Sequence, residues 1–327
     1  MTKFTIRPSC LYHPLTVVFL DDNESFLDAI KLGSDKSALI RTFSDPTEAL
    51  AAINSEEENI INNISNVYSD VDTDDPNKKV VDIDIGSIRN SIYDASRFNH
   101  IGVVVVDYKM PEMTGTDFCR SIKDKHIYKV MLTAEAALNT AIEAFNEGVI
   151  NKFLLKQNDD LQAHLACVIS ELEEKYFHDI SKPILRALDN NLSEMLKSDV
   201  FIELFNSVFR DSNAVEYYLL DTSGSYLFLD KEGYPTWLII RSEHDFNVQL
   251  ETLSGLDAEE KLINDLTSRE KLLFMLSEEE YQEPVGEWNN SLFEAKELTS
   301  PLWYSIKKGP IKTAVDWKQI KAYQGSK

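Results

Sequence analysis

With 327 residues, 43% of them hydrophobic and 10% aromatic, the chain is long and apolar enough for two packed domains. A net charge of -22 excludes binding of nucleic acid through a general basic surface, because neutralising phosphates takes clustered Lys and Arg. No apolar run approaches the roughly 20 residues that span a bilayer, and MTKFTIRPSCLYHP lacks the apolar centre of a secretory signal, so a cytoplasmic globular protein is expected.

After an N-terminal extension at 1–15, strands and helices alternate. TVVFL reads as a strand, DNESFLDAIKL as a helix and ALIRTF as a strand; DPTEALAAIN reads as a helix with Asp45 at its N-cap and Pro46 at N1. An acid-rich insertion follows at about 55–100. Its polar part NVYSDVDTDDPNKK reads as a flexible loop, whereas Ile85, Ile88, Ile92 and Tyr93 fall near helical spacing, predicting a helix packed on the first domain. The alternation resumes with IGVVVVD, the helical TDFCRSIKD, the strand YKVMLT, the helical EAALNTAIEAFNEG and the strand NKFLL. Strands apolar on both faces and separated by helices imply a doubly wound, five-stranded parallel sheet, an α/β domain over 16–180.

From about Asp159, Leu161, Leu165, Val168, Leu172, Tyr176 and Ile180 recur at helical spacing, and Pro183 is expected to end or bend that helix. It is either the last helix covering the sheet or a connector continuing toward a partner subunit or the second domain, with 181–200 as the connecting segment. Cys10, Cys119 and Cys167 lack metal-ligand spacing and are expected to be buried free thiols. Residues 201–327 form a second regime of α+β type. FIELFNSVF is helical; VEYYLLD, YLFLD and TWLIIRS form an antiparallel meander with turns at TSGS and KEGYP. Trp237, Tyr217, Tyr218 and Phe228 are expected in the sheet core. DAEEKLINDLTSREKLLFML reads as helical, and LWYSIKK as a returning strand.

Several polar residues stand at the carboxyl ends of the first domain's strands: Asp21 and Asp22 after TVVFL, Asp107 after VVVV, Thr133 after KVML and Lys156 after KFLL. That edge is where open α/β sheets place their chemistry. Carboxylates gathered there repel by about 4 kcal/mol per pair at 4 Å and an effective dielectric near 20, so a cation is needed. Hard oxygen ligands suit Mg²⁺, and a carbonyl from the loop after Asp107 would add one. Asp107 then suits a nucleophile toward a phosphoryl group, with Lys156 supplying a point charge and Thr133 a hydroxyl.

The acidic pair, the D-x-x-M-P-x-M-x-G loop from Asp107 to Gly115, the Thr133–Ala134 pair and Lys156, in this order, resemble the receiver domain of two-component response regulators. The resemblance covers 16 to about 178 outside the insertion. It implies a flavodoxin-like fold with Asp107 as phosphoacceptor, Asp22 as a direct Mg²⁺ ligand, Asp21 as a mainly water-mediated one, and the Lys109 carbonyl completing the set. Phe153 takes the place of the family's aromatic switch, or is an ordinary core aromatic. A sensor histidine kinase or phosphotransfer protein, and no enzymatic activity beyond weak self-phosphorylation and self-dephosphorylation, follow from the same resemblance; a homodimer is expected because the helix after Lys156 is long and amphipathic. Gln157 departs from the family's usual Pro and puts the cis peptide there in doubt. The whole arrangement, insertion included, also resembles response regulators of bacterial quorum sensing.

Two other readings compete. Asp82 and Asp84 in VVDIDIG imitate a phosphatase D-x-D pair, with a solvated turn or helix start as the plain alternative. A receiver fold kept only for docking or dimerisation would not need the acidic pair, Thr and Lys around one carboxylate. For the tail, a protein-binding or nucleotide-binding output module is set against a nucleic-acid contact through Lys307, Lys308, Lys312, Lys318, Lys321 and Lys327.

Overall fold

The computed structural model describes residues 5–33, 39–55, 68–71, 80–158, 160–188, 190–256, 258–313 and 315–323. Up to the end of the alternating region the elements are β1 (Leu11–Tyr12), β2 (Thr16–Leu20), α1 (Glu24–Gly33), β3 (Ile40–Phe43), α2 (Pro46–Ser55), β4 (Tyr68–Val71), β5 (Val80–Ile83), α3 (Ile85–Asn90), β6 (Ile101–Asp107), α4 (Gly115–Ser121), β7 (Tyr128–Thr133), α5 (Leu138–Asn146), β8 (Lys152–Leu155) and α6 (Leu161–Ala187). Beyond it lie α7 (Asn190–Met195), α8 (Asp199–Asp211), β9 (Ala214–Leu219), β10 (Tyr226–Asp230), β11 (Pro235–Ser242), α9 (Glu243–Ser254), α10 (Glu260–Thr267), β12 (Lys271–Leu273), α11 (Glu278–Gln282), β13 (Leu292–Glu294), β14 (Lys296–Thr299) and β15 (Leu302–Lys308). They assemble into two compact units: one from His13–Asn63 and Ala95–Ile180, the other from Met1–Tyr12, Ile64–Asp94 and Ser181–Tyr323, each over its described residues.

In the first unit five parallel strands run in the order β3-β2-β6-β7-β8, the sheet that the alternation predicts. Strands β2 and β6 are buried along their whole length, which is why TVVFL and IGVVVVD carry no polar alternation. Val18, Leu20, Val104, Val106 and Met131 share a core with Ala49 and Ile53 of α2, Phe118 of α4, and Ala141 and Ala144 of α5. Asp45 caps α2 as expected, accepting from the Thr47 and Glu48 amides at 2.6 and 3.1 Å.

Helix α6 runs through Pro183 to Ala187, so the proline does not end it. Proline withholds the amide that residue 179 would otherwise receive, but Ile180 and Ile184 are both buried, and that packing offsets the lost bond. Cys10 and Cys119 are buried free thiols, as expected; Cys167 lies on the solvent side of α6 instead.

The second unit is built on a six-stranded antiparallel sheet of order β1-β9-β10-β11-β15-β14, which contains the meander and the returning strand. Gly224 and Gly233 occupy the left-handed region at φ 91° and 78°, where the TSGS and KEGYP turns need glycine. Phe205 of α8 meets Tyr217, Tyr226 and Phe228 at 4.9, 5.0 and 5.0 Å between ring centroids, and Trp237, Tyr217, Tyr218 and Phe228 are core residues.

Some elements differ from expectation. The helical reading of DAEEKLINDLTSREKLLFML holds only for α10: Arg269 takes φ 60°, and the chain then extends as β12 paired with β13. Helix α9 was not anticipated, although Ser242 and Asp245 form a capping box at its start. Within the expected loop 66–79, residues 68–71 are strand β4, paired antiparallel with β5, while 66–67 and 72–79 lie outside the described residues. Helix α3 buries Ile85 and Ile88 but lies against β9 in the second unit, not on the first domain. The C-terminal segment fastens that region, with the Lys321 amide donating to the Ile92 carbonyl and the Asp316 amide to the Tyr93 hydroxyl. Among the described residues no helix is long and apolar enough to cross a membrane.

On α6, burial pushes the Glu173 carboxyl up to about 7, against the opposing pull of a hydrogen bond from the Leu15 backbone. An unfolded Glu titrates near 4.3, so the folded state binds the extra proton between about pH 4.3 and 7, and stability should fall as pH rises across that window. Glu173→Gln keeps an acceptor for Leu15 and removes the charge. Denaturant unfolding should show the variant losing this slope and exceeding the parent in stability at pH 8.

Candidate functional site

Strand register assembles the site. Leu20 pairs with Val106, so Asp21 follows β2 beside Asp107 at the end of β6. Asp107 pairs with Leu132, and Thr133 pairs with Leu155, so Thr133 and Lys156 continue the same edge on β7 and β8. A hydrogen bond of 3.0 Å from the Lys156 amide to the Thr133 carbonyl ties the last two together.

Burial divides the acids. Asp21 is 1% exposed and Asp107 7%, whereas Asp22 faces solvent. Each offers a carboxylate oxygen, and the three oxygens lie within 4.8 Å of one another. The Lys156 ammonium bridges the two buried acids, 2.6 Å from Asp21 Oδ2 and 3.0 Å from Asp107 Oδ1. Asp21 Oδ1 accepts the Asn23 amide at 3.0 Å, so both of its oxygens are engaged. Burial drives the Asp107 carboxyl above its ordinary value; the hydrogen bond and charge of Lys156 oppose that, and Asp21 and Asp22 reinforce it. For Lys156, burial acts to lower the ammonium, but the contacts with Asp21 and Asp107 outweigh it and the net direction is upward.

The loop after Asp107 returns tightly. Thr114 caps α4, the Gly115 amide donates to the Tyr108 carbonyl at 2.8 Å, and the Tyr108 amide reaches the Leu132 carbonyl of β7 at 2.9 Å. A Cβ on Gly115 would stand 2.4 Å from the Asp107 backbone oxygen, so only glycine lets the loop close on the strand end. Lys109 is exposed within this loop. Thr133 is fully buried and donates its hydroxyl to the Ala134 carbonyl at 3.1 Å. Phe153 is half-buried, edge-on to Phe145 of α5 with centroids 6.2 Å apart. No cis peptide joins Lys156 to Gln157, in keeping with the missing proline.

Asp21, Asp22, Asp107, Thr133 and Lys156 thus converge, while Lys109 and Phe153 flank them. Three carboxylates facing one ammonium leave an excess of negative charge on hard oxygens, a donor set that fits a divalent cation such as Mg²⁺. Asp84 does not belong here: it caps α3, accepting from the Gly86 amide and the Ser87 hydroxyl. The Asp82 side chain lies outside the described residues. Sequence reading also missed Phe26, whose ring centroid is 5.1 Å from Lys156 Nζ. Its signal was its place in the first turn of the helix that follows the acidic pair.

The response regulator receiver domain family matches residues 77–166. That span holds Asp107, Lys109, Thr133, Phe153 and Lys156; the acidic pair lies before it, separated by the insertion. The chain belongs to the response regulators, the class that this fold and match define. Over nearly its full length it is similar to the Legionella pneumophila response regulator LqsR, with 30% identity, 98% of this chain and 95% of that one covered, and a TM-score of 0.76. An adenylate cyclase from Rhodopirellula baltica matches at 24% identity over 52% of this chain and 95% of that one, with a TM-score of 0.36. A receiver domain protein from Clostridium thermocellum matches at 21% over 49% and 95%, with a TM-score of 0.31. No curated protein matches.

Gly115→Ala should cost about 1–3 kcal/mol, the range for forcing atoms into filled space, because the clash is with backbone and not with a flexible side chain. Denaturant midpoints of the full chain measure it.

Proposed function

We propose that Asp107 accepts a phosphoryl group from the phosphohistidine of a sensor kinase or phosphotransfer protein, and that the second unit converts this into output. The observation that carries the reading is the bridging of Asp107 and Asp21 by Lys156 at an open sheet edge. One Asp107 oxygen attacks phosphorus as the phosphorus–nitrogen bond breaks, and its electron pair returns to the imidazole. The new bond is an acyl phosphate. Lys156 then shifts toward the phosphoryl oxygens, and Thr133 exchanges its Ala134 partner for one of them. Asp22, Asp107 and the Lys109 carbonyl would hold Mg²⁺, with Asp21 acting mainly through water because Asn23 and Lys156 occupy its oxygens. When bound, that ion supplies charge neutralisation between carboxylates and phosphoryl oxygens.

In this reading Phe153 follows Thr133 and changes its contact with Phe145. Helix α5 presents Ile142 and Phe145 with 39% and 48% of their surface exposed. That apolar strip is the face we assign to phosphorylation-controlled homodimerisation. A quorum-sensing setting is part of the same reading, on the resemblance drawn from the sequence. For the second unit, a protein-directed or nucleotide-directed role is favoured over nucleic-acid binding. Lys308 donates to the Asp211 carbonyl and Lys312 pairs with Glu283, so part of the Lys-rich end is already engaged.

A small acyl phosphate donor with Mg²⁺ should label the protein, and Asp107→Asn should abolish that label; retention of label by the variant would contradict the assignment. A beryllofluoride phosphoryl mimic should raise the mass in size-exclusion light scattering across a concentration series. An unchanged mass would remove dimerisation from the proposal.

A further inference from the structure

Lys156 has three ammonium hydrogens and, among the described residues, two carboxylate partners. Asp21 and Asp107 take two hydrogens, and the Phe26 ring lies alongside, its centroid 5.1 Å from Nζ. The ring is held there by the helix start itself. Asp21 Oδ1 accepts the Asn23 amide at 3.0 Å, and the Phe26 amide donates to the Asn23 carbonyl and side chain at 3.0 and 3.2 Å. Leu27 and Ile30 of α1 are buried, which fixes the helix rotation and turns Phe26 toward the sheet edge. A single chain of contacts therefore runs from Asp21 through Asn23 and Phe26 back to Lys156.

A lysine is a point charge on four flexible carbons and needs neighbours to define its place. A further carboxylate would pin the ammonium by a directed hydrogen bond. An aromatic face attracts the cation through its quadrupole with little directional demand, so the ammonium can swing while remaining held. Such freedom matters if Asp107 is esterified, because the oxygen that now accepts from Lys156 becomes part of the acyl phosphate and the ammonium must transfer to a phosphoryl oxygen. We infer that Phe26 is a positioning residue of the phosphoryl-transfer site, retaining Lys156 at the sheet edge while the ammonium passes from carboxylate to phosphoryl oxygen. The inference rests on the phosphoacceptor reading of Asp107.

The test uses the full chain and compares the parent with Phe26→Leu, which keeps apolar bulk without a π face, and Phe26→Tyr, which keeps the ring. Label formation from a small acyl phosphate donor with Mg²⁺ should slow about twofold to fivefold in Phe26→Leu and return to the parent rate in Phe26→Tyr, the size of a partly exposed cation–π contact. The same set is examined without donor or Mg²⁺ by NMR. Ring-current displacement of the Lys156 Cε protons should be present in the parent and in Phe26→Tyr and lost in Phe26→Leu. Thermal midpoints separate this from simple destabilisation. Equal rates in all three proteins, equal slowing of both variants, or Cε shifts indifferent to the ring would overturn the role of Phe26 and leave Asp107 as the phosphoacceptor. A parent that takes no label, with the Cε displacement intact, would instead sink the phosphoacceptor reading, and the inference with it.

Discussion

Three carboxylates and one ammonium at the end of a parallel sheet are the constraint around which the first unit is organised. Asp21 and Asp107 are nearly inaccessible to water, and at such positions two like charges are sustained only by a counter-charge between them. Lys156 provides it at 2.6 and 3.0 Å. Its position is in turn a product of the sheet: β8 must pair with β7 in the observed register for residue 156 to arrive beside residue 107. One ammonium balances only one of three negative charges, so the arrangement is poised toward a cation or toward any chemistry that alters charge on Asp107.

The rest of the unit serves this edge in identifiable ways. The wholly buried β2 and β6 form its rigid middle, and small residues at Gly115, Ala141 and Ala144 let loop and helix approach closely. Thr133 and Phe153 lie on neighbouring strands next to α5, whose outer side keeps Ile142 and Phe145 in water. Phe153 meets Phe145 edge-on, so β8 and the outer side of α5 are in packed contact.

The second unit draws on more of the chain than the tail alone. Its sheet is lengthened by β1 from the N-terminal segment, and its β9 is covered by α3 from within the insertion. The described residues 68–71 and 80–94 of the insertion therefore interrupt one unit in sequence while belonging to the other. The site remains complete although its acids at 21 and 107 are separated by an additional segment, because β2 and β6 pair directly.

Much of this was legible beforehand because it depends on local rules. Apolar runs of strand length, Asp45 and Pro46 at a helix start, glycines at 224 and 233 in turns, and polar residues at strand ends each follow from backbone sterics and hydrophobic periodicity. What stayed hidden is what depends on distant pairing. No local signal in KLLFML tells a helix from β12, since its partner β13 lies some twenty residues away; nothing in Pro183 reveals that burial of Ile180 and Ile184 carries α6 past it; Cys167 is exposed because of which side of that helix meets the protein. The sequence by itself determined the parallel sheet and the kinds of side chain at its edge, for both are written in residue type and spacing. Only the tertiary structure decided that Lys156 bridges Asp21 and Asp107, that Phe26 faces the ammonium, and that α3 packs on β9, because each is a contact between segments far apart in the chain whose free energy exists only once the chain has folded.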